Sequence, residues 1–512
     1  MPFLSKSKYL NGLQCPKLIW VLYNDKAKVP PYDASTLAIF DQGHEVGHLA
    51  KSLFPGGIEI EGDPWKYAML LDRTREALKK RAPLYEAAVS FGNGFARTDI
   101  LNPVEDCSWD LIEVKSSTEV KQVHLDDLAL QKYVVEGSGL RVRKCFLMHI
   151  NADYVRQGEI EVKKLFTLAD VTDQVAAISP CVAPNLAELA QIIKQKQMPD
   201  IAIGLQCDDP YTCILQEICW AFLPEDNPLT LSGFKKEKAF ELIHQGILKI
   251  VDVSETTDLN GKQTIQREAL RTGNRHVDPG AIQAFLETLV YPVHYLDFET
   301  FQTAIPLFDG VRPYQKVPFQ FSLDIVSASE TSVPSATSAT TRSSLTTEST
   351  GSPGAAPAHH SYLSEGRSNP NPEVLKLLKE KLGDSGSIVS YNAAFEKGVL
   401  NQAVEAYPEY LEWWNAVQLR FIDLLAPFRA FDFYHPQQAG SASLKVVLPA
   451  LTGAGYESLD IADGETASRE YLRVTFGGVD EKGRARVRKQ LEDYCGLDTM
   501  GMIRIVEELG KI

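Results

Sequence analysis

The stretch VHYLDFETF, Val293 to Phe301, decides how the second half of the chain folds. It reads as a strand. Side chains alternate along a strand, so Asp297 and Glu299, two apart, share one face. Burying two carboxylates side by side is costly unless a cation compensates them.

Two further stretches extend this pattern. SIVSYNAAFEKGVL (387–400) reads as a strand running into a helix, with Asn392, Phe395 and Glu396 at the turn. LEDYCGLDTMGMIRIV (491–506) reads as a helix on which Tyr494 and Asp498, four apart, stack on one face. Between them, FIDLL (421–425) offers Asp423, a candidate to assist these acids or, as read here, a residue that caps or orients the helix that follows. After VHYLDFETF comes a second strand candidate, PFQFSLDIV, and then a Ser/Thr-rich stretch, residues 327–361. That composition cannot build a core, and it is expected to be a disordered insertion within the domain.

The order D-x-E, N-x-x-F-E, Y-x-x-x-D resembles the tyrosine subtype of the DEDD exonucleases, which have an RNase H-like fold. The resemblance implies two Mg²⁺ or Mn²⁺ ions held by Asp297, Glu299, Glu396 and Asp498, with Tyr494 orienting the attacking water. The second motif departs from the family by carrying Glu396 where Asp is usual. YHPQQAGSASLKVVLPAL, with Lys445, also resembles an uncharacterised bacterial family whose C-terminal half has no known function.

In the first half, FARTDIL places Asp99 on a strand and WDLIEVKSS places Glu113 and Lys115 on one face of another. Gln131 and Tyr133 follow on the helical segment LDDLALQKYVVEG. Two carboxylates can hold a divalent ion, and an ammonium beside them can position water. The ordered set resembles the PD-(D/E)xK nucleases of RecB type. That resemblance carries over Asp99 and Glu113 as metal ligands, Lys115 and Gln131 as catalytic residues, and Glu86 as a preceding acid. His48 is a further candidate ligand, with His44 competing. The helical motif departs from the family's Gln-x-x-x-Tyr, since position 135 is Val.

Eight cysteines occur, three of them evenly spaced in CDDPYTCILQEIC (Cys207, Cys213, Cys219) and one in LQCPKLIW (Cys15). One distant cysteine plus three clustered ones resembles the iron–sulfur RecB-type nucleases, including CRISPR-associated and AddB-type proteins. It implies a [4Fe–4S] cluster that staples the ends of the domain together. Four thiolates also suit a structural Zn²⁺. Cys107, Cys145, Cys181 and Cys495 read as ordinary core or surface thiols.

The expected fold class is therefore α/β: a restriction-endonuclease-like PD-(D/E)xK domain (1–222), a helical connector (223–285) and an RNase H-like DEDD mixed-sheet domain (286–512). The connector segment LTLSGFKKEKAFELIHQGILKIVDV resembles a helix-hairpin-helix, with Gly233 at the hairpin and Ala239, Leu242 and Ile247 packing; an ordinary helical spacer remains open.

The 512 residues carry a formal net charge of −15. That balance opposes nucleic-acid binding only when averaged over the whole surface. The basic runs KKR (79–81), KKEK (235–238) and KGRARVRK (482–489) are read as solvated faces or as binding tracks. No apolar run reaches about 18 residues, and the start lacks the apolar centre of a secretory signal. A cytoplasmic protein with no membrane partner is expected. The reading is a nuclease joining an iron–sulfur domain to a 3′→5′ exonuclease domain, with DNA favoured over RNA. A nucleic-acid-binding scaffold with a catalytically degenerate C-terminal domain, and an RNA-processing exonuclease, are the alternatives.

Overall fold

The computed structural model describes residues 3–328, 357–456 and 459–512. They form two compact units: Met1–Leu229, Phe234–Val253 and Gln302–Gln315 make unit 1, while Thr230–Gly233, Ser254–Phe301 and Lys316–Ile512 make unit 2. The segment read as a connector is thus divided between them.

Unit 1 opens with a helical hairpin, α1 (Lys6–Gln14) and α2 (Pro16–Asn24), broken at the extended residue Cys15. Pro16 has no N–H to continue α1, yet suits the first position of α2. Next come α3 (Ala34–Lys51), β1 (Ile58–Glu59) and α4 (Tyr67–Leu78). A meander of β2 (Leu84–Phe91), β3 (Gly94–Pro103) and β4 (Trp109–Lys115) follows, then α5 (Gln122–Gly137) and β5 (Val142–Ile150). The turn α6 (Val162–Leu165), β6 (Phe166–Asp170), α7 (Thr172–Lys194), α8 (Gln216–Trp220) and α9 (Lys236–His244) complete the unit.

The six strands lie in sequence order, β1 to β6. β2, β3 and β4 are antiparallel, whereas β4 and β5 are parallel, with α5 as the crossover that such a pair requires. This is a mixed α/β arrangement, of the class expected from the sequence. Leu101 and Leu111 enter the core shared with α1, α5 and α7. Ile100, Ile112 and Met148 pack on the other face, with Val46 and Ala50 of α3. Glu113 and Lys115 have the parity of Leu111, so they face the α1–α5 side.

Helix α7, at 23 residues, is long and apolar enough by composition to cross a membrane. Its stripe Val175, Val182, Leu186, Leu189, Ile192 and Ile193 is buried in the unit 1 core.

Two other features of unit 1 differ from what local sequence suggests. Gln302–Gln315, which leaves the strand carrying Asp297, belongs to unit 1. Arg156 Nη1 donates to Pro306 O and Leu307 O at 2.9 Å each, Tyr314 Oη donates to Ser116 O, and Ala304 N–H donates to the Gln42 side chain. Secondly, the hairpin glycine after α9 is Gly246, not Gly233. Gly246 has φ +85, and Ile247 N–H reaches back to Leu242 O at 3.0 Å, a helix-ending motif that needs the left-handed region. Ala239 is buried there, while Leu242 and Ile247 are half-buried. Gly233, also at positive φ, precedes the helix and lies in unit 2.

Unit 2 begins with α10 (Gly261–Thr272), β7 (His276–Val277) and α11 (Pro279–Leu286). The antiparallel strands β8 (Val293–Phe301), β9 (Val317–Val326) and β10 (Ala358–Leu363) follow. Then come α12 (Asn371–Lys381), β11 (Ile388–Ser390), α13 (Ala393–Ala406), α14 (Leu411–Val417), β12 (Phe421–Asp423), α15 (Ala426–Ala430) and β13 (Phe433–Tyr434). Helices α16 (Leu444–Thr452), α17 (Gly464–Phe476) and α18 (Glu481–Leu509) close the unit. The sheet order is β10–β9–β8–β11–β12, with β11 parallel to β8 and β12 parallel to β11. This mixed sheet, antiparallel on one side and parallel on the other, fits the α/β mixed-sheet class expected from the sequence.

The Ser/Thr-rich insertion needs one correction. Residues 329–356 lie outside the described residues, but Ala358 to Ser361 form the first part of β10. Their backbone pairs with Ser322–Ile325 of β9, and a main-chain ladder is indifferent to the polar composition that suggested disorder.

Several basic side chains prove structural. Arg488 donates to Ser364 O at 2.7 Å and Leu363 O at 3.1 Å, Arg484 donates to Glu365 O, and Lys489 pairs with Asp493 at 3.0 Å. Arg420 spends its guanidinium on the turn before β11, donating to Gly386 O (2.7 Å), Gly383 O (2.6 Å), Leu382 O (2.9 Å) and Ser385 O. Arg420→Ala is expected to cost about 3 kcal/mol of unit 2 stability, since hydrogen bonds to a charged group are among the stronger ones. Denaturant melts would check this, and a loss below about 0.5 kcal/mol would contradict it.

Candidate metal centres

In unit 2, four carboxylates meet at the middle of the sheet. Asp297 and Glu299 come from the central strand β8, Glu299 buried and Asp297 half-buried. Glu396 stands in the first turn of α13, immediately after β11. Asn392 makes that turn with φ +78, and Asp423 fixes it by accepting the N–H groups of Asn392 and Leu425, both at 3.0 Å. Asp423 therefore orients the turn before α13, and it does not cap the helix that follows it, Ala426–Ala430, whose N-cap Leu425 has no side-chain cap. Asp498 and Tyr494 lie one turn apart on the buried face of α18.

Oxygens of Asp297, Glu299 and Asp498 lie within 4.8 Å of one another, close enough to share an ion. Glu396 is 2 % exposed, and its Oε2 has no hydrogen-bond partner. Burial, then Asp498, Glu299 and Glu396, hold the Asp297 carboxyl far above the usual carboxylate range. Burial and Asp498 push Glu299 up to about 8, against the opposing charge of Lys445. Asp498 is raised by burial to about 6, restrained by a hydrogen bond from Tyr456 and by Lys445. Glu396 is raised by burial, offset in part by its own backbone N–H, and then by Asp423 and Glu299.

Tyr456, Lys445 and Cys495 were missed as neighbours of these acids. Tyr456 donates to Asp498, Lys445 Nζ lies 5.5 Å from the Tyr494 ring centre, and Cys495 Sγ donates to Asp297 at 3.6 Å. Cys495 is thus not an ordinary core thiol. Helix periodicity held the signal, because positions 494, 495 and 498 share a face. Tyr456 sits in a loop and gave none. Gly464, at the start of α17, permits a close approach: a Cβ there would stand 3.3 Å from Glu299 Oε2.

These shifts give a signed prediction. In protein stripped of divalent ions, the folded state keeps protons on Glu299 and Asp498 that the unfolded chain has already released. Stability should therefore fall as pH rises from about 4 to about 8. Saturating Mn²⁺ should flatten this fall by replacing the protons. Melting temperatures across that range, with chelator and with Mn²⁺, would check both, and a rising profile in chelator would contradict it.

Unit 1 brings together Asp99, Glu113, Lys115 and Gln131. Ile100 pairs with Ile112, so Asp99 and Glu113 occupy the next opposed positions of β3 and β4. Asp99 Oδ2 accepts Val114 N–H at 2.8 Å, taking the part of a ladder carbonyl. Lys115 Nζ donates to Glu113 at 2.6 Å and to Asp127 at 2.9 Å. Gln131 Nε2 spans the same two carboxylates, at 2.6 and 3.0 Å. Asp127, one turn before Gln131 on the buried face of α5, was missed. Lys6, 107 residues from Glu113, was missed too, and its Nζ lies 3.0 and 2.9 Å from the two Glu113 oxygens.

The other candidates lie elsewhere. Tyr133 packs edge-on against Phe91 at 5.3 Å, and Val135 is buried in the core. Glu86, at φ +55, pairs with Arg97 at 3.4 Å and Lys51 at 3.9 Å. His44 and His48 are exposed on α3, and among the described residues neither joins a three-ligand set.

The four cysteines line one cavity, together with Ile203 and Leu215. Cys15 is fixed by its neighbours: Gln14 donates to Gln206 O (2.9 Å) and Tyr211 O (2.7 Å), and Lys17 donates to Ile201 O (2.9 Å). Cys213 N–H donates to Cys207 O at 2.8 Å, folding the loop back on itself. Burial, then the other three thiols, push Cys213 up to about 11. Of the remaining cysteines, Cys107 and Cys181 are exposed and Cys145 is buried.

Residues 294–443 match a family described as "Domain of unknown function (DUF2779)". The match includes Asp297, Glu299 and Glu396 and ends before Tyr494 and Asp498. None of the curated proteins matches the chain. Among solved structures, a family B DNA polymerase from the hyperthermophilic archaeon Pyrobaculum calidifontis is similar at 13% identity and a TM-score of 0.27, over 42% of this chain and 24% of that one.

Proposed function

We propose that the chain is a metal-dependent nuclease, with an iron–sulfur nuclease domain in unit 1 and a 3′→5′ exonuclease domain in unit 2. The observation that carries this reading is the convergence of four carboxylates from β8, α13 and α18, three of them buried and Asp297 half-buried. The unpartnered Glu396 Oε2 supports a cation there, because a buried lone carboxylate oxygen is costly without one. An all-oxygen donor set suits Mg²⁺ or Mn²⁺. Bound divalent ions would supply Lewis-acid activation of water and stabilise the leaving oxygen. Asp297, Glu299, Glu396 and Asp498 would hold them. Tyr494 would orient the attacking water, and Lys445, whose charge acts on Glu299 and Asp498, would meet a substrate phosphate.

In unit 1, Asp99 and Glu113 would hold a divalent ion, Lys115 would position water, and Gln131 fixes the Glu113 carboxylate against Asp127. For the thiols, four cysteines lining one cavity would hold a [4Fe–4S] cluster, with a structural Zn²⁺ as the alternative that the same donor set suits.

The test is degradation of end-labelled single-stranded DNA, duplex DNA and RNA by the full chain with Mg²⁺ or Mn²⁺. Loss of nucleotides from the 3′ end is expected, and DNA is the expected substrate. A protein that degrades none of the three would overturn the reading. Faster removal from RNA would move it to RNA processing.

A further inference from the structure

Lys6 is the one cation of the unit 1 site that no motif announces. Its Nζ lies 2.9 and 3.0 Å from the Glu113 oxygens and 3.5 Å from Asp99 Oδ1. It stands between the two carboxylates that would share a divalent ion. Lys115 is placed differently, bridging Glu113 to Asp127. The site thus sets three carboxylates, Asp99, Glu113 and Asp127, against two ammonium groups. Two ammonium groups and a divalent ion together would leave it positive, whereas replacing Lys6 by the ion balances it.

We propose that Lys6 is the internal counter-ion of this site: its ammonium holds Asp99 and Glu113 in the place a divalent ion takes, and ion entry requires its side chain to swing out. The proposal rests on the reading of Asp99 and Glu113 as metal ligands.

The backbone around Lys6 explains why only the side chain moves. Leu4 is tied to the β2–β3 turn, with its N–H on Asn93 O at 2.8 Å and its C=O accepting Phe95 N–H at 3.0 Å. Lys6 then opens α1, whose far end is Cys15. A flexible four-carbon stem on a backbone pinned at both ends can retract without disturbing the strands. Lys115 remains with Asp127 when Lys6 leaves, and Gln131 keeps Glu113 oriented.

The test is Mn²⁺ binding by calorimetry on the full chain, freed of divalent ions, in an Asp297→Asn, Glu299→Gln background that silences the unit 2 acids. Lys6→Met is expected to bind Mn²⁺ about tenfold tighter than the parent, because a cation competing at about 3 Å is gone. Unchanged or weaker affinity would overturn the assignment. Should Lys6→Met fail to fold, Lys6→Gln, which keeps a neutral donor to Glu113, is measured by melting. Its loss in chelator should be recovered in saturating Mn²⁺, and an equal loss in both would mark Lys6 as merely structural and overturn the proposal. Asp99→Asn in the same background separates the two readings. If it removes no Mn²⁺ binding, the metal-site reading fails and Lys6 with it. If it removes binding that Lys6→Met leaves unchanged, the Lys6 assignment fails alone.

Discussion

Asp297→Asn is expected to lower the rate of 3′-nucleotide removal by at least about 10³-fold, with the fold intact. Asp297 is the acid at the centre of the cluster: Asp498, Glu299 and Glu396 all act on its carboxyl. An ion-holding carboxylate is worth several kcal/mol of barrier, and each 1.36 kcal/mol is tenfold in rate. Asparagine keeps the shape of a carboxyl that its acidic neighbours hold protonated without ions, so the variant prepared without divalent ions should melt no lower than the parent. That pairing of lost activity with kept stability separates a missing ligand from a damaged core. Cleavage that persists in Asp297→Asn but vanishes on adding Glu113→Gln would belong to unit 1. Cleavage that survives both substitutions would sink the assignment of both sites.

The second large effect concerns Cys213→Ser. The parent should be brown, with absorbance near about 400 nm and about four irons per chain. Cys213→Ser should lose the colour and destabilise unit 1 on the order of 5 kcal/mol, since metal binding of this kind is folding free energy. Serine nearly preserves volume, so packing alone would cost far less. Cys181→Ser, at an exposed position, should change neither colour nor melting. A colourless parent with one zinc per chain would refute the cluster. A Cys213→Ser protein that keeps both iron and melting temperature would remove Cys213 from the ligand set.

What the sequence made legible follows from periodicity and what it hid follows from distance. Asp297 and Glu299 were readable because strand alternation places residues two apart on one face, and Tyr494 and Asp498 because helix periodicity stacks residues four apart. The same rule could have found Asp127, four before Gln131 on α5, and Cys495 beside Tyr494. No local rule finds Lys6, because the contact exists only once α1 packs against α5 and β3. Tyr456 is hidden likewise, in a loop with no period. Composition misplaced Ala358–Ser361, whose strand is defined by backbone pairing to β9. Connectivity misplaced Gln302–Gln315: a segment between two paired strands is expected to stay with its own sheet, yet Arg156, Gln42 and Ser116 hold it in unit 1.

That last segment sets an order of events on the ribosome. Lys6 and Cys15 emerge first, but Cys207, Cys213 and Cys219 emerge about 190 residues later, and Gln302–Gln315 nearly 300 residues later. At about 5–20 residues per second, the opening helices wait on the order of 15–60 s for their last partners. By then β8, with Asp297 and Glu299, has also been made. A product released early, at residue 222 for instance, would hold every ligand of the first site and every cysteine of the cavity, yet lack the span that finishes its fold. Nascent chains halted before and after residue 315 should therefore differ sharply in protease resistance.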